Sequence, residues 1–216
     1  MDIPSSRTID VVSDVVCPWC WIGKRQLEAA LESLPAAERP VVRWHAFQLN
    51  PDLPPGGIDR REYLERKFGG AERAAQIYAR VREAGRTVGL ALDFDRIERQ
   101  PNTLDAHRLI AWAQERGDAD PLVEALFRAY FVEGRYTGDP AVLAAIAGEA
   151  GFDAAAARAM LDGDDLREEI AESDRRMRES GIGGVPFFVF DRRLAVSGAQ
   201  GTAALKDALA QSAPPA

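Results

Sequence analysis

Hydrophobic and polar positions fall into three regimes along this chain. Thr8 to Asp14 (TIDVVSD), followed by Val15 and Val16, is a short apolar run that predicts a buried strand entering a turn. From Pro18 to about Leu34 the period changes. Ile22, Leu27, Ala30, Leu31 and Leu34 recur at helical spacing, with Lys24, Arg25, Glu28 and Glu32 on the other side. Pro18 suits the first turn of that helix, where its missing N–H costs nothing. Val41 to Asn50 (VVRWHAFQLN) alternates and predicts a second strand. A crossover of this length suits two parallel neighbours with a right-handed connection.

The middle regime is helical. PDLPPGGIDR, residues 51–60, is rich in proline and glycine and marks a boundary. Helical patterns then cover Glu62–Phe68, Ala71–Val88, Thr103–Arg116, Asp120–Glu133, Pro140–Ala150, Asp153–Met160 and Glu168–Ser180, with breaks carrying glycine or proline. Beyond Gly181-Ile182-Gly183-Gly184 the strand pattern returns. Val185 to Phe190 is an apolar run, Asp191-Arg192-Arg193 turns it, and Leu194 to Ser197 pairs back as a hairpin. Gly198 to Gln211 predicts a final helix. The order β-α-β, helices, β-β-α is best explained by an α/β fold whose small sheet is split by an all-helical insertion. The expected division is residues 1–58, 59–181 and 182–216.

Composition narrows the function. Across 216 residues the formal charge is −7, which argues against nucleic acid as a main partner. No run approaches the roughly 18 apolar residues of a membrane span, so no membrane partner is expected. The start, MDIPSSRTIDVVSD, carries no apolar stretch of the secretory kind, and a chain beginning this way is expected in the cytoplasm. The pattern identifies no apolar helix face from which an oligomeric state follows.

VVCPWCWIGK holds both cysteines, Cys17 and Cys20. Two are too few for a disulfide scaffold, and a reducing compartment disfavours a permanent bridge. A tetrahedral zinc site wants four ligands. The two histidines, His45 and His107, lack zinc-finger spacing to the pair, so no metal is expected. Two thiols three apart at a helix start lie on one face and meet. Unpaired N–H groups and partial positive charge there favour a thiolate on Cys17. Cys20, one turn in, is then the less exposed, resolving thiol. A C-x-x-C after a strand and opening a helix reads as a thioredoxin-like redox motif. Pro18 and Trp19 set its local geometry. Pro186, inside a strand-like run, reads either as an edge or strand start, or as a cis peptide that turns backbone toward the sulfurs.

VVCPWCWIGKRQLE, FQLNP, PNTLDAHRL, GIGGVPFFVF and SGAQ together resemble the DsbA-like thioredoxin-fold proteins of the FrnE type. Those are related to the 2-hydroxychromene-2-carboxylate isomerases and kappa-class glutathione transferases. The likeness runs through nearly the whole chain with its landmarks in order. It implies a thioredoxin fold split by a helical domain. It also implies Cys17 and Cys20 as a redox pair and Val185-Pro186, joined by a cis bond, as a platform for substrate backbone. The implied activity is disulfide exchange with protein or small-molecule thiols. No cofactor is tightly bound, and glutathione serves as substrate or reductant. The isomerase and transferase branch has serine at the nucleophile position, where this chain has Cys17. Glutathione-dependent isomerase or transferase action on small aromatic substrates is the alternative. Some FrnE-like proteins carry a distal cysteine pair, which this chain lacks.

Other residues carry weaker signals. Asn50 matches a position near the glutathione site of the isomerase-like relatives, and equally reads as an Asn-Pro turn ending a strand. His107 reads as a core or boundary histidine, or as a group over the site that supports a thiolate. Trp19, Trp21, Trp44 and Phe47 suit either an apolar surface around the sulfurs or the core, with Trp19 the best placed for exposure and Trp44 for burial. Arg60-Arg61 and Arg175-Arg176 read as solvated helix faces.

Overall fold

The structure, a computed structural model, describes residues 7–213. The first unit is strand β1 (Thr8–Ser13), helix α1 (Pro18–Leu31) and strand β2 (Val41–Ala46). β1 and β2 pair in parallel, with Thr8 opposite Val41 and Ser13 opposite Ala46. The chain then leaves the sheet. Strand β3 (Ile58–Asp59) leads into α2 (Arg60–Phe68) and α3 (Ala71–Arg86), and strand β4 (Arg99–Gln100) precedes α4 (Leu104–Gln114). α5 (Asp120–Phe131), α6 (Pro140–Glu149), α7 (Ala154–Asp162) and α8 (Arg167–Glu179) follow. The chain returns through β5 (Phe187–Phe190), β6 (Leu194–Ser197) and α9 (Thr202–Ser212). The sheet order is β2-β1-β5-β6, so residues from both ends of the chain sit side by side in one sheet.

Local chemistry explains where the elements begin and end. Asp59, Asp139 and Asp153 each cap a helix by accepting backbone N–H bonds from its first turn. The β5–β6 hairpin turns on Asp191 and Arg192, both at positive φ without a glycine. Asp191 is held there because its carboxylate accepts from the Thr8 N–H at 2.8 Å and from Arg7 Nε at 2.9 Å. Burial opposes ionisation of Asp191, but the Thr8 N–H and the Arg7 guanidinium outweigh it and lower its pKa.

The insertion carries one strand ladder, Ile58-Asp59 against Arg99-Gln100, which is too short to leave a periodic signal. Its helices share the sheet's core. One buried cluster runs from Ile9 and Val11 through Trp21 to Phe127, Phe131, Leu143 and Phe188. Trp21 stacks on Phe127 and Phe131 at centroid distances of 5.9 and 6.2 Å, fastening α1 to α5. Two polar residues are buried where the pattern placed them in solvent. Lys24 on α1 is 2% exposed, because its ammonium meets Glu28, Asp120 and Glu124. Arg60 is buried between Gln100 and Tyr78, donating to both. In each case carboxylate or amide partners from a distant helix or strand make burial tolerable, and helical periodicity cannot see them.

Candidate active site

β1 delivers the chain to the start of α1, and the two cysteines sit at that junction. Cys17 is the N-cap residue of α1, with extended backbone and Pro18 next in the helix. Its N–H donates to the Asp14 carbonyl at 2.9 Å, and its own carbonyl accepts from Cys20 N at 3.0 Å. The first turn holds no acidic side chain, so nothing on the helix offsets its positive end. Both cysteines are free thiols. Cys17 is 4% exposed and Cys20 2%, so the two differ little in exposure. Burial pushes the Cys20 thiol well above the usual cysteine range, and the adjacent Cys17 adds to the rise. The Asp14 backbone and the Ser13 hydroxyl hydrogen-bond the Cys20 sulfur and work the other way.

Val185 and Pro186 lie across from Cys17. The bond between them is cis. The Cys17 thiol donates to the Val185 carbonyl at 3.6 Å. Gly23 keeps this approach close. A Cβ there would stand 3.0 Å from the Pro186 ring and 3.0 Å from the Phe188 ring, so a side chain at residue 23 would push these rings a few tenths of an ångström off α1. Nothing in the hydrophobic pattern marked Gly23.

The remaining candidates occupy different settings. Trp19 is 40% exposed beside the thiols, whereas Trp21, Trp44 and Phe47 are buried. Asn50 lies in the loop after β2. Its Oδ1 accepts from Lys67 Nζ at 3.3 Å, and its Nδ2 is buried without a partner among the described residues. His107 is buried on α4, with Nε2 3.3 Å from Asp14 Oδ1. That loop is held to the scaffold on both sides. Leu49 N donates to Asp14 Oδ2 at 2.7 Å, Gln48 N donates to Asp174 Oδ1 at 2.8 Å, and Arg178 donates to the Gln48 carbonyl. Asp14, fully buried and bonded to both the cysteine turn and this loop, passed in the sequence for the end of a strand. Its position three residues before Cys17 was the available signal.

A cavity of about 940 Å³ lies elsewhere, along the outer edge of β2 beside Trp44, Gln114 and Asp120. Neither cysteine lines it. Gln114 closes part of that edge by bonding both the N–H and the carbonyl of Trp44.

A helix-start dithiol facing a proline loop, on a four-stranded sheet interrupted by helices, defines a thioredoxin-like protein of the DsbA class. The chain belongs to the DSBA-like thioredoxin domain family, whose model matches residues 8–210. It is 32% identical to a Streptomyces coelicolor protein described as a "probable DsbA oxidoreductase", with TM-score 0.85, covering 95% of this chain and 89% of that one. Two further structures share the fold at lower identity. One is the cytosolic disulfide reductase DsbM of Pseudomonas aeruginosa, determined with GSH, at 22% identity and TM-score 0.61 over 94% of this chain and 98% of that one. The other is a 2-hydroxychromene-2-carboxylate isomerase, at 16% identity and TM-score 0.68 over 94% of this chain and 95% of that one.

Proposed function

We propose that this protein is a thiol–disulfide oxidoreductase in which Cys17 attacks and Cys20 resolves. The observation that carries the reading is the placement of Cys17. It caps a helix whose positive end is uncompensated, touches the Val185 carbonyl, and has a second free thiol in the first turn beside it. Cys17 attacks one sulfur of a disulfide as its thiolate. The other substrate sulfur leaves as a thiolate, and a mixed disulfide remains on Cys17. Cys20 then attacks Cys17 and releases the second substrate thiolate, leaving a Cys17–Cys20 disulfide. The reverse sequence oxidises a dithiol. Exposed Trp19 and the backbone around Val185-Pro186 offer an apolar and a hydrogen-bonding surface to the substrate.

Substrates of this reading are protein or small-molecule thiols and disulfides, with glutathione as substrate or reductant and no tightly bound cofactor. The cytoplasm is the proposed location. In support, no helix among the described residues is long and apolar enough to cross a membrane. The deciding measurement is the equilibrium of the Cys17–Cys20 pair against reduced and oxidised glutathione. Reversible cycling of two electrons supports the reading; a pair that never oxidises overturns it.

One observation favours the glutathione-dependent isomerase as a second reading. Asn50 Nδ2 is a buried donor without a partner, in a loop adjoining the site, and would suit an acceptor on a bound thiol ligand. Cys20→Ala separates the two. Isomerase turnover retained alongside lost disulfide exchange supports the second reading, and loss of both supports the first.

A further inference from the structure

One edge of the sheet plays no part in the exchange reading. β2 is an outermost strand, paired with β1 on one side alone. Its odd-numbered residues turn their peptide groups inward, as Val41 N and Phe47 N donate to the Arg7 and Ser13 carbonyls at 2.8 and 3.0 Å. Alternation sends the peptide groups of Val42, Trp44 and Ala46 outward. At Trp44 they meet the Gln114 side chain. Gln114 Oε1 accepts from Trp44 N at 2.6 Å, and its Nε2 donates to the Trp44 carbonyl at 3.0 Å. One side-chain amide thus takes the place that a peptide unit of a neighbouring strand would fill. Beyond it the edge is open. The Pro40 carbonyl and both peptide groups of Val42 have no hydrogen-bond partner among the described residues. Val41 beside them is 49% exposed, unusual for an apolar residue on an edge strand.

Pro40 and Val42 line the groove of about 940 Å³, whose walls come from α1 and α8. The two walls differ in chemistry. Val42 and Trp44 lie on the α1 face of the sheet, in the cluster that includes Leu27 and Leu31. Arg43 points to the opposite face, since side chains alternate along a strand. α8 packs on that face, with Met177 against Val12, the register partner of His45. It brings Arg176 to the groove.

The charge left unpaired there is mainly positive. Arg43 makes no side-chain hydrogen bond or ion pair among the described residues, Arg39 donates to the Leu34 carbonyl at 3.3 Å, and Arg176 keeps a 3.7 Å pair with Glu172. Glu28 and Asp120 are committed to Lys24, and Asp118 accepts the Asp120 N–H. Glu169 is the lining carboxylate without a bond among the described residues, against three arginines. Trp44 adds an unpaired donor, for its indole Nε1 is buried with no partner among those residues.

We propose that this edge of β2 binds an extended segment of a partner polypeptide, added as a strand beside Val42 and alternating apolar with acidic side chains. Val42 and Pro40 supply the backbone bonds, in the manner Gln114 displays at Trp44. The apolar side chains of the segment meet the Leu27 and Leu31 wall, and the acidic ones meet Arg43 and Arg176. A second copy of this chain is the poorer fit. Two β2 edges related by a two-fold axis pair antiparallel and bring Arg43 of each copy toward the other, where like charges repel. Neither cysteine lines the groove, so the assignment stands independently of the exchange reading.

The test titrates isotope-labelled full-length protein with an acetylated, amidated hexapeptide of alternating glutamate and valine. The Val42 amide and the Trp44 indole resonances should shift saturably, and hydrogen exchange at Val42 N–H should slow. Arg43→Gln should weaken binding about tenfold, and lysine in place of glutamate in the peptide should weaken it further. Methylating one alternate set of peptide nitrogens should abolish binding, while methylating the other should leave it within about threefold, because only one set faces the edge. These peptide variants carry the test if Arg43→Gln fails to fold. No shift at Val42 with millimolar peptide overturns the proposal. So does binding that tolerates both methylation patterns, which marks adhesion without an added strand, or binding indifferent to the peptide's charge. A Val42 amide already protected without peptide also overturns it. Sedimentation then assigns the edge to a second copy if the protein is a dimer, and to a segment of this chain if it is a monomer.

Discussion

The middle of α1 and its first turn bury polar groups in opposite ways. Four residues past Cys20, Lys24 is as buried as that cysteine, and its ammonium is shared among Glu28, Asp120 at 2.8 Å and Glu124 at 3.2 Å. Burial works against the Lys24 charge, but Asp120 and Glu28 outweigh it and raise its pKa. In the first turn, Cys20 is held neutral by burial, and at the junction before the helix Asp14, with His107 from α4, keeps atoms unpaired. α1 thus carries a saturated cluster that joins it to α5, while the junction before it and α4 hold an unsaturated pair. Saturation fixes geometry and leaves nothing to react. Incomplete satisfaction is tolerated where a proton or a ligand is exchanged.

Substitutions can break or sharpen this contrast. The largest effect is expected from Cys17→Ser at the start of α1. Exchange with glutathione disulfide should fall about 1,000-fold or more, while urea unfolding shifts by about 1 kcal/mol at most. Lys24→Met should do the reverse. It should lower stability by about 2 kcal/mol, less than for a fully buried pair because the three carboxylates stay a quarter to a third exposed. Exchange per folded molecule should hold, and a large loss there would place Lys24 in the chemistry and erase the contrast. Gly23→Ala lies between the clusters. Crowding Pro186 and Phe188 should cost about 1 kcal/mol and slow exchange several-fold, read from unfolding curves and initial rates.

The smallest effect concerns Asp191, a second saturated group. Its folded pKa is lowered, so its contribution is fully present above the unfolded value of about 4 and disappears as pH falls through the folded value. Asp191→Asn should therefore flatten the acid limb of a stability–pH curve below about pH 4 and leave exchange at pH 7 untouched. An unchanged acid limb would remove Asp191 from the saturated class.

Much of the fold was legible because its signals are local. β1, α1, the β5–β6 hairpin and the insertion helices follow from periodicity, prolines and glycines, and the parallel pairing of β1 with β2 follows from crossover length. Cys17, Cys20 and Pro186 stood out by type and context. What stayed hidden depends on partners remote in sequence. Lys24 looks solvent-facing until α5 brings Asp120 and Glu124. Arg60 does so until β4 brings Gln100. Asp14 looks like a strand end until Leu49 and His107 arrive from the β2 loop and α4. The β3–β4 ladder has too few residues to show any period.

The sheet order also constrains how the molecule is made. β1 and the cysteines are synthesised well before β5, yet β1 is a central strand whose second neighbour is β5. Through most of translation the nascent chain holds both thiols with no Val185 carbonyl opposite Cys17. A chain cut short before residue 185 therefore carries its cysteines without the surface that faces them. Arrival of the Val185 segment, rather than formation of α1, is the event that assembles the site.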